Sequence, residues 1–256
     1  MHRVLLAMAC TLVLAGCTSI PPGQRSALAH WRPSPNHSLR KPQLVVLHYT
    51  VEPTLEGSRR ILSDPGRATP VSSHYLIDRD GRIEQLVADH LRARHAGAGR
   101  WGSFTDVNDV SIGIEIVNTG REPFPQAQID ALIALLQDLR ARHRFDPRQV
   151  IAHADLAPGR KVDPGPQFPW RRLADAGFGL WPSAPAVEPP PDFDAWAALA
   201  AIGYPLDNRR AALHSFRLRF RGLDDGALQA GAEAPAPQPD AEDRRLLYAL
   251  TARSND

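Results

Sequence analysis

Ser111-Ile112-Gly113-Ile114-Glu115-Ile116-Val117 is a run in which isoleucine occupies every second position. Period-two alternation puts Ile112, Ile114 and Ile116 on one face of a β-strand and Gly113, Glu115 and Val117 on the other. The flanking sequence supplies partners for that strand. Leu44-Val45-Val46-Leu47-His48 is a β-rich run ending at a polar residue, and Val150-Ile151-Ala152 is a short apolar run before His153. His74-Tyr75-Leu76-Ile77-Asp78, followed by Asp80-Gly81, predicts a strand entering a hairpin turn, with Arg82 to Val87 as its return. Between strands, Gln126 to His143 carries Ile129, Leu132, Ile133, Leu136 and Leu139 at the spacing of one apolar helical stripe, and Asp146-Pro147 is expected to stop it. A shorter helix is expected over Leu55 to Leu62. The pattern is that of an α/β fold, a mixed central sheet flanked by helices.

The chain has 256 residues, 43% hydrophobic and 23% charged, enough for a full core and for two domains, which excludes disorder along its whole length. Thirty Lys and Arg against 28 Asp and Glu give +2, too near balance for a protein that works by wholesale attraction to nucleic acid. The 24 prolines mark loops and linkers. Residues 17–42 read as a tether and irregular lead-in, 43–181 as the main domain, 182–192 as a proline-rich linker, and 193–256 as a small three-helix C-terminal domain. Residues 1–16 are set apart: His2 and Arg3 precede an apolar run from Val4 to Leu14, as in a bacterial secretory signal. Leu14-Ala15-Gly16-Cys17 resembles a lipobox, which implies lipid modification of Cys17. Thr18, where an aspartate would imply inner-membrane retention, leads to the expectation of an outer-membrane anchor facing the periplasm. With Cys10 in the removed segment and Cys17 lipidated, no thiol pair is left for a disulfide.

The stretch 152–166 (Ala-His-Ala-Asp-Leu-Ala-Pro-Gly-Arg-Lys-Val-Asp-Pro-Gly-Pro) gathers His153, Lys161 and Asp163 around a loop stiffened by proline and glycine. Taken singly, each candidate has an ordinary explanation. His48 shares a strand face with Leu44 and Val46, as a core histidine would; Asp163 precedes Pro164, as turn residues do; Glu115 fits the wet side of a half-buried strand.

Five ordered segments change that weighing: Leu47-His48-Tyr49-Thr50, Val71 to Ile77 (Val-Ser-Ser-His-Tyr-Leu-Ile), Arg94-His95-Ala96-Gly97, Ser111 to Asn118, and the 152–166 stretch continuing to Phe168-Pro169-Trp170. Together they cover about 43–175 and resemble the zinc-dependent N-acetylmuramoyl-L-alanine amidases that share a fold with phage amidases and peptidoglycan-recognition proteins, specifically their outer-membrane lipoprotein members. The resemblance implies Zn2+ held by His48, His153 and Asp163, with a fourth position open as in catalytic zinc sites. It implies Glu115 as the proton-transferring group, Lys161 as the cation that stabilises the oxyanion, and His74 and His95 as substrate-pocket or supporting residues. The implied reaction is hydrolysis of the amide between N-acetylmuramic acid and L-alanine of peptidoglycan or muropeptides, in cell-wall turnover or recycling.

Residues 193 to about 252 resemble a peptidoglycan-binding domain of three short helices, with its usual short loop stretched into Gly222 to Asp240. Read as a tethered second ligand, this module is expected to raise local concentration at the wall, so that deletion from 183 onward spares hydrolysis of a small muropeptide. The rival reading is a noncatalytic peptidoglycan-binding lipoprotein; the presence of all five candidate residues favours an enzyme. A metal-independent hydrolase lacks a nucleophile motif such as Gly-x-Ser-x-Gly. Peptidoglycan and, through the lipid, a membrane are the expected partners; no nucleic acid is expected, and no protein partner can be inferred.

Overall fold

The computed structural model describes residues 26–39, 42–182, 187–224 and 237–252. The lipobox and Cys17 lie outside these, as does part of the proline-rich linker. In chain order the elements are β1 (His30–Trp31), β2 (Ser38–Leu39), β3 (Leu44–Tyr49), α1 (Leu55–Ser63), β4 (Tyr75–Ile77), β5 (Ile83–Gln85), β6 (Leu91–Arg92), α2 (Val107–Val110), β7 (Ser111–Ile116) and α3 (Gln126–His143). A 3-10 turn (Pro147–Gln149) leads to β8 (Val150–Ala152), α4 (His153–Leu156) and α5 (Trp170–Asp175), then α6 (Ala195–Ile202), α7 (Arg209–Phe220) and α8 (Ala241–Thr251).

The alternating isoleucine run forms β7, inside a six-stranded sheet of order β1-β5-β4-β7-β3-β8. The sheet is mixed: β4 and β5 pair antiparallel, the other neighbours parallel, while β2 and β6 form a separate antiparallel pair. Ile112, Ile114 and Ile116 join Val45, Leu47 and Val150 in a core closed by Ile129, Leu132, Leu136 and Leu139 of α3. Fully burying each such side chain contributes roughly 1.5–3 kcal/mol. α1 is capped by Thr54, whose side chain accepts from the N–H of Gly57, and it buries Leu55 and Leu62 against Leu76 and Val117.

Two local expectations shift. α3 ends at His143 because Arg144 adopts a left-handed conformation (φ 54) and donates to Arg140 O; Asp146 instead caps the 3-10 turn, accepting from the N–H of Arg148. The return strand is shorter than 82–87 because the N–H groups of Leu86 and Val87 both turn toward His74 O, taking the chain out of the ladder.

A larger correction concerns the C-terminal helices. The odd-even partners of the α3-facing residues, Leu44 and Val46 of β3 and Ile151 of β8, form one hydrophobic cluster with Leu199, Leu213, Phe216, Phe220 and Leu247 of α6, α7 and α8. The helices expected on an extended linker are therefore the second layer of the sheet. Their starts are set by Asp194, Asn208 and Asp240, each accepting backbone N–H groups of its own first turn.

Candidate metal centre and cleft

The strand register builds the site. β3 pairs His48 with Glu115 of β7 and Leu47 with Ala152 of β8, so His48, Glu115 and His153 emerge side by side at the carboxyl ends of three adjacent parallel strands. Open α/β sheets bind ligands at that edge. Asp163 is brought in by the loop after α4, where the N–H of Ala154 donates to Asp163 O at 2.9 Å.

His48 Nδ1, His153 Nδ1 and Asp163 Oδ2 lie 2.9, 3.1 and 3.1 Å from one another, and all three residues are buried. The hydrogen-bond network shows what this triangle is. His153 Nε2 faces Ala96 O at 2.8 Å, and a carbonyl only accepts, so the ring proton sits on Nε2. Ser111 Oγ donates to Val107 O, so it accepts from His95 Nε2 at 3.2 Å. His95 Nδ1 is then an acceptor, and His48 Nε2 donates to it at 3.0 Å. In the neutral rings both Nδ1 atoms are thus lone pairs beside a carboxylate. Burial, followed by the neighbouring His153, lowers the His48 pKa to about 4, which keeps its imidazole neutral. Burial alone would raise Asp163, but His153 and His48 hold it below the usual carboxylate range. Three converging electron-pair donors without protons between them fit a divalent cation, and two nitrogens with one carboxylate oxygen are the donor set of catalytic sites with an open position.

Around the triangle lies a cleft of about 350 Å3. Tyr49, Val51, Ile61 and Val71 contribute apolar surface, and Arg94, Arg160 and Lys161 contribute positive charge. Val51 has φ 62, costly for a β-branched side chain, and its N–H is tied to Asn118 O at 3.1 Å. Glu115 lines the cleft, and its Oε2 is buried with no hydrogen-bond partner among the described residues. Burial, then the charge of Asp163, raises its pKa well above the ordinary value, with Lys161 opposing. A carboxyl so placed can hold and release a proton at higher pH than an ordinary glutamate.

The two supporting histidines have different places. His95 lines the cleft and links His48 to Ser111. His74 does not belong to the pocket as expected: it is fully buried, its Nδ1 accepts from the N–H of Gly113 at 3.0 Å and its Nε2 donates to Leu91 O at 2.9 Å. Its ring is spent on backbone, and it meets His95 in edge contact. Residues that sequence reasoning missed are Ser111 and Asn108; Asn108 Oδ1 accepts from the N–H groups of both His95 and Ala96 at 2.9 Å. A signal for them was present in Gly113. A Cβ there would lie 2.4–2.7 Å from His95 ring atoms, and glycine inside a strand marks such close approaches.

Residues 38–166 match the family model described as N-acetylmuramoyl-L-alanine amidase. The chain is 35% identical to N-acetylmuramoyl-L-alanine amidase AmiD of Escherichia coli K12, over 91% of this chain and 97% of that one. This chain belongs to the N-acetylmuramoyl-L-alanine amidase family. Among solved structures, it resembles that of AmiD from E. coli in complex with anhydro-N-acetylmuramic acid-L-Ala-D-gamma-Glu-L-Lys, with TM-score 0.70 and 35% identity over 84% of this chain and 91% of that one. It also resembles AmpDh3 from Pseudomonas aeruginosa in complex with anhydromuramic pentapeptide, with TM-score 0.70 and 29% identity over 93% of this chain and 99% of that one. The mixed α/β fold expected from the strand and helix pattern, and the amidase family that the ordered segments resemble, are those of these relatives.

Proposed function

We propose that this amidase cleaves the amide between N-acetylmuramic acid and L-alanine in muropeptides, including those with anhydro-muramyl ends, using Zn2+ held by His48, His153 and Asp163. The observation that carries this reading is the triangle of unprotonated donors at 2.9–3.1 Å. The muropeptide ligands of the two related structures support the substrate class.

When bound, the ion supplies Lewis-acid polarisation of the scissile carbonyl and brings the pKa of water toward about 7. The protein's own groups do the rest. His95 and Ala96 O hold the two imidazole protons on the far side of the rings, so the Nδ1 lone pairs stay aimed inward. Glu115 takes the proton of the attacking water and delivers it to the departing L-alanine nitrogen; its raised pKa suits both halves of that transfer. The Lys161 ammonium, on the cleft wall, stabilises the oxyanion of the tetrahedral intermediate.

The lipobox-like segment ending at Cys17 supports placement on the outer membrane, facing the periplasm, where the C-terminal helices would add contacts to the wall. Incubating the protein with defined muropeptides and weighing the products, with and without a chelator, tests the reading. Free stem peptide plus muramyl sugar, lost with chelator, is the expected result. Intact muropeptide in both arms would instead mark a noncatalytic wall-binding protein.

A further inference from the structure

Asp155 stands two residues beyond the ligand His153, on α4, and is fully buried. Its carboxylate is held largely from outside its own turn. Oδ2 accepts from the N–H of Ala152 at 2.9 Å and from Arg219 Nη1, and Oδ1 accepts from the Tyr204 hydroxyl at 2.6 Å. Arg219 is on α7, and Tyr204 lies just beyond α6. The same guanidinium reaches Val150 O of β8 at 3.2 Å and sits 4.0 Å over the ring of Trp170. Arg219 therefore grips the chain on both sides of His153.

The turn so gripped positions two of the three donors. His153 is its first residue, and the N–H of Ala154 fixes the backbone of Asp163. A buried carboxylate stripped of its cationic partner is left uncompensated, and the turn that carries it loses the contacts that fix its place. Burial and Asp155 keep the Tyr204 hydroxyl a neutral donor.

We propose that the C-terminal helices brace the metal centre: Tyr204 and Arg219 are positioning residues that act through Asp155 to hold His153 and Asp163 in coordinating register. This rests on the reading of His48, His153 and Asp163 as a metal site. It replaces the expected division of labour, in which residues from 183 onward serve wall binding alone. Truncation there removes both side-chain donors to Asp155 as well as more than half of the buried cluster that covers β3 and β8.

The test compares full-length wild type, Tyr204→Phe, Arg219→Met, Arg219→Lys and Arg245→Ala. The last removes an exposed pairing of Arg245, on α8, with Glu188. Zinc Kd is read by chelator competition, and the zinc-induced rise in Tm by thermal unfolding of metal-free and loaded protein. Tyr204→Phe and Arg219→Met are expected to weaken zinc affinity about 10- to 100-fold and shrink the zinc-induced rise, with partial rescue in Arg219→Lys and wild-type values in Arg245→Ala. Equal lowering of Tm in metal-free and loaded protein, with Kd and the zinc-induced rise unchanged, would reduce the cluster to ordinary packing and overturn the brace. Should Arg219→Met not fold, Tyr204→Phe, which loses a single hydroxyl, decides by the same two readings. Wild type that takes up no zinc overturns the metal reading and the brace with it; normal wild-type uptake with unaltered variants overturns the brace alone.

Discussion

His48 donates its Nε2–H to Nδ1 of His95 at 3.0 Å, and this bond decides which His48 nitrogen faces the cleft. His95 can accept because its own proton is committed to Ser111, whose hydroxyl is in turn committed to Val107 O. The relay ends on backbone, so the inward Nδ1 lone pair does not depend on pH-labile groups at the surface. Replacing His95 with phenylalanine keeps an aromatic ring but removes the acceptor. Zinc affinity measured by chelator competition should fall about 10- to 100-fold.

Gly113 makes room for that relay. Alanine at this position would drive its Cβ to within 2.4–2.7 Å of the His95 ring, and the residue's backbone already bonds His74 on both sides. Gly113→Ala should cost about 1–3 kcal/mol of stability by overpacking. It should also lower bound zinc in the folded fraction, measured by elemental analysis after thermal and spectroscopic checks of folding.

Glu115 controls proton transfer. Its pKa lies well above the ordinary glutamate value, so the carboxylate that accepts a proton forms only at higher pH, and the rising limb of kcat/KM should lie well above pH 4.5. Glu115→Gln should lower kcat by about 10²–10⁴-fold with zinc retained, and the limb assigned to this group should vanish from the profile. Lys161→Met should lower kcat by roughly 10²-fold and move that limb to higher pH, because the ammonium opposes the rise of the Glu115 pKa. A limb that persists in Glu115→Gln would assign it to another group.

Asp89 supplies a pH dependence of stability far from the cleft. It is fully buried, accepting from Tyr75 Oη at 2.7 Å and lying against Arg142 and, at 2.7 Å, His143. Burial by itself would raise its pKa, but the bonds from His143, Arg142 and Tyr75 outweigh that and lower it. A depressed folded-state pKa gives stability that is fully present above the unfolded value of about 3.9 and lost as pH falls through the folded one. Asp89→Asn should be less stable at neutral pH and show a shallower decline below about pH 4 than wild type, as followed by denaturant midpoints across that range.

Much of this was legible in the sequence because periodicity is a local property. The isoleucines at 112, 114 and 116 and the apolar stripe of α3 bury as their spacing requires, and His48 lies on the Leu44 and Val46 face of its strand. The donor triangle was reached through five matching segments, since nothing local joins position 48 to position 163. The roles of His74 and His95 were not separable, because both are histidines within the same motif set and only the partners of each ring nitrogen tell them apart. Docking of the C-terminal helices was also hidden. The proline run from 182 to 191 resembles any linker, and the pairing of Asp155 with Arg219 joins residues 64 apart whose burial no local pattern reveals.

The most direct test of the account is an X-ray absorption spectrum of the protein loaded with one equivalent of zinc. Four nitrogen and oxygen donors are expected at about 2.0–2.2 Å with the multiple-scattering signature of two imidazoles, reduced to one in His153→Ala. A zinc shell with no imidazole, or one unchanged by His153→Ala, would contradict it.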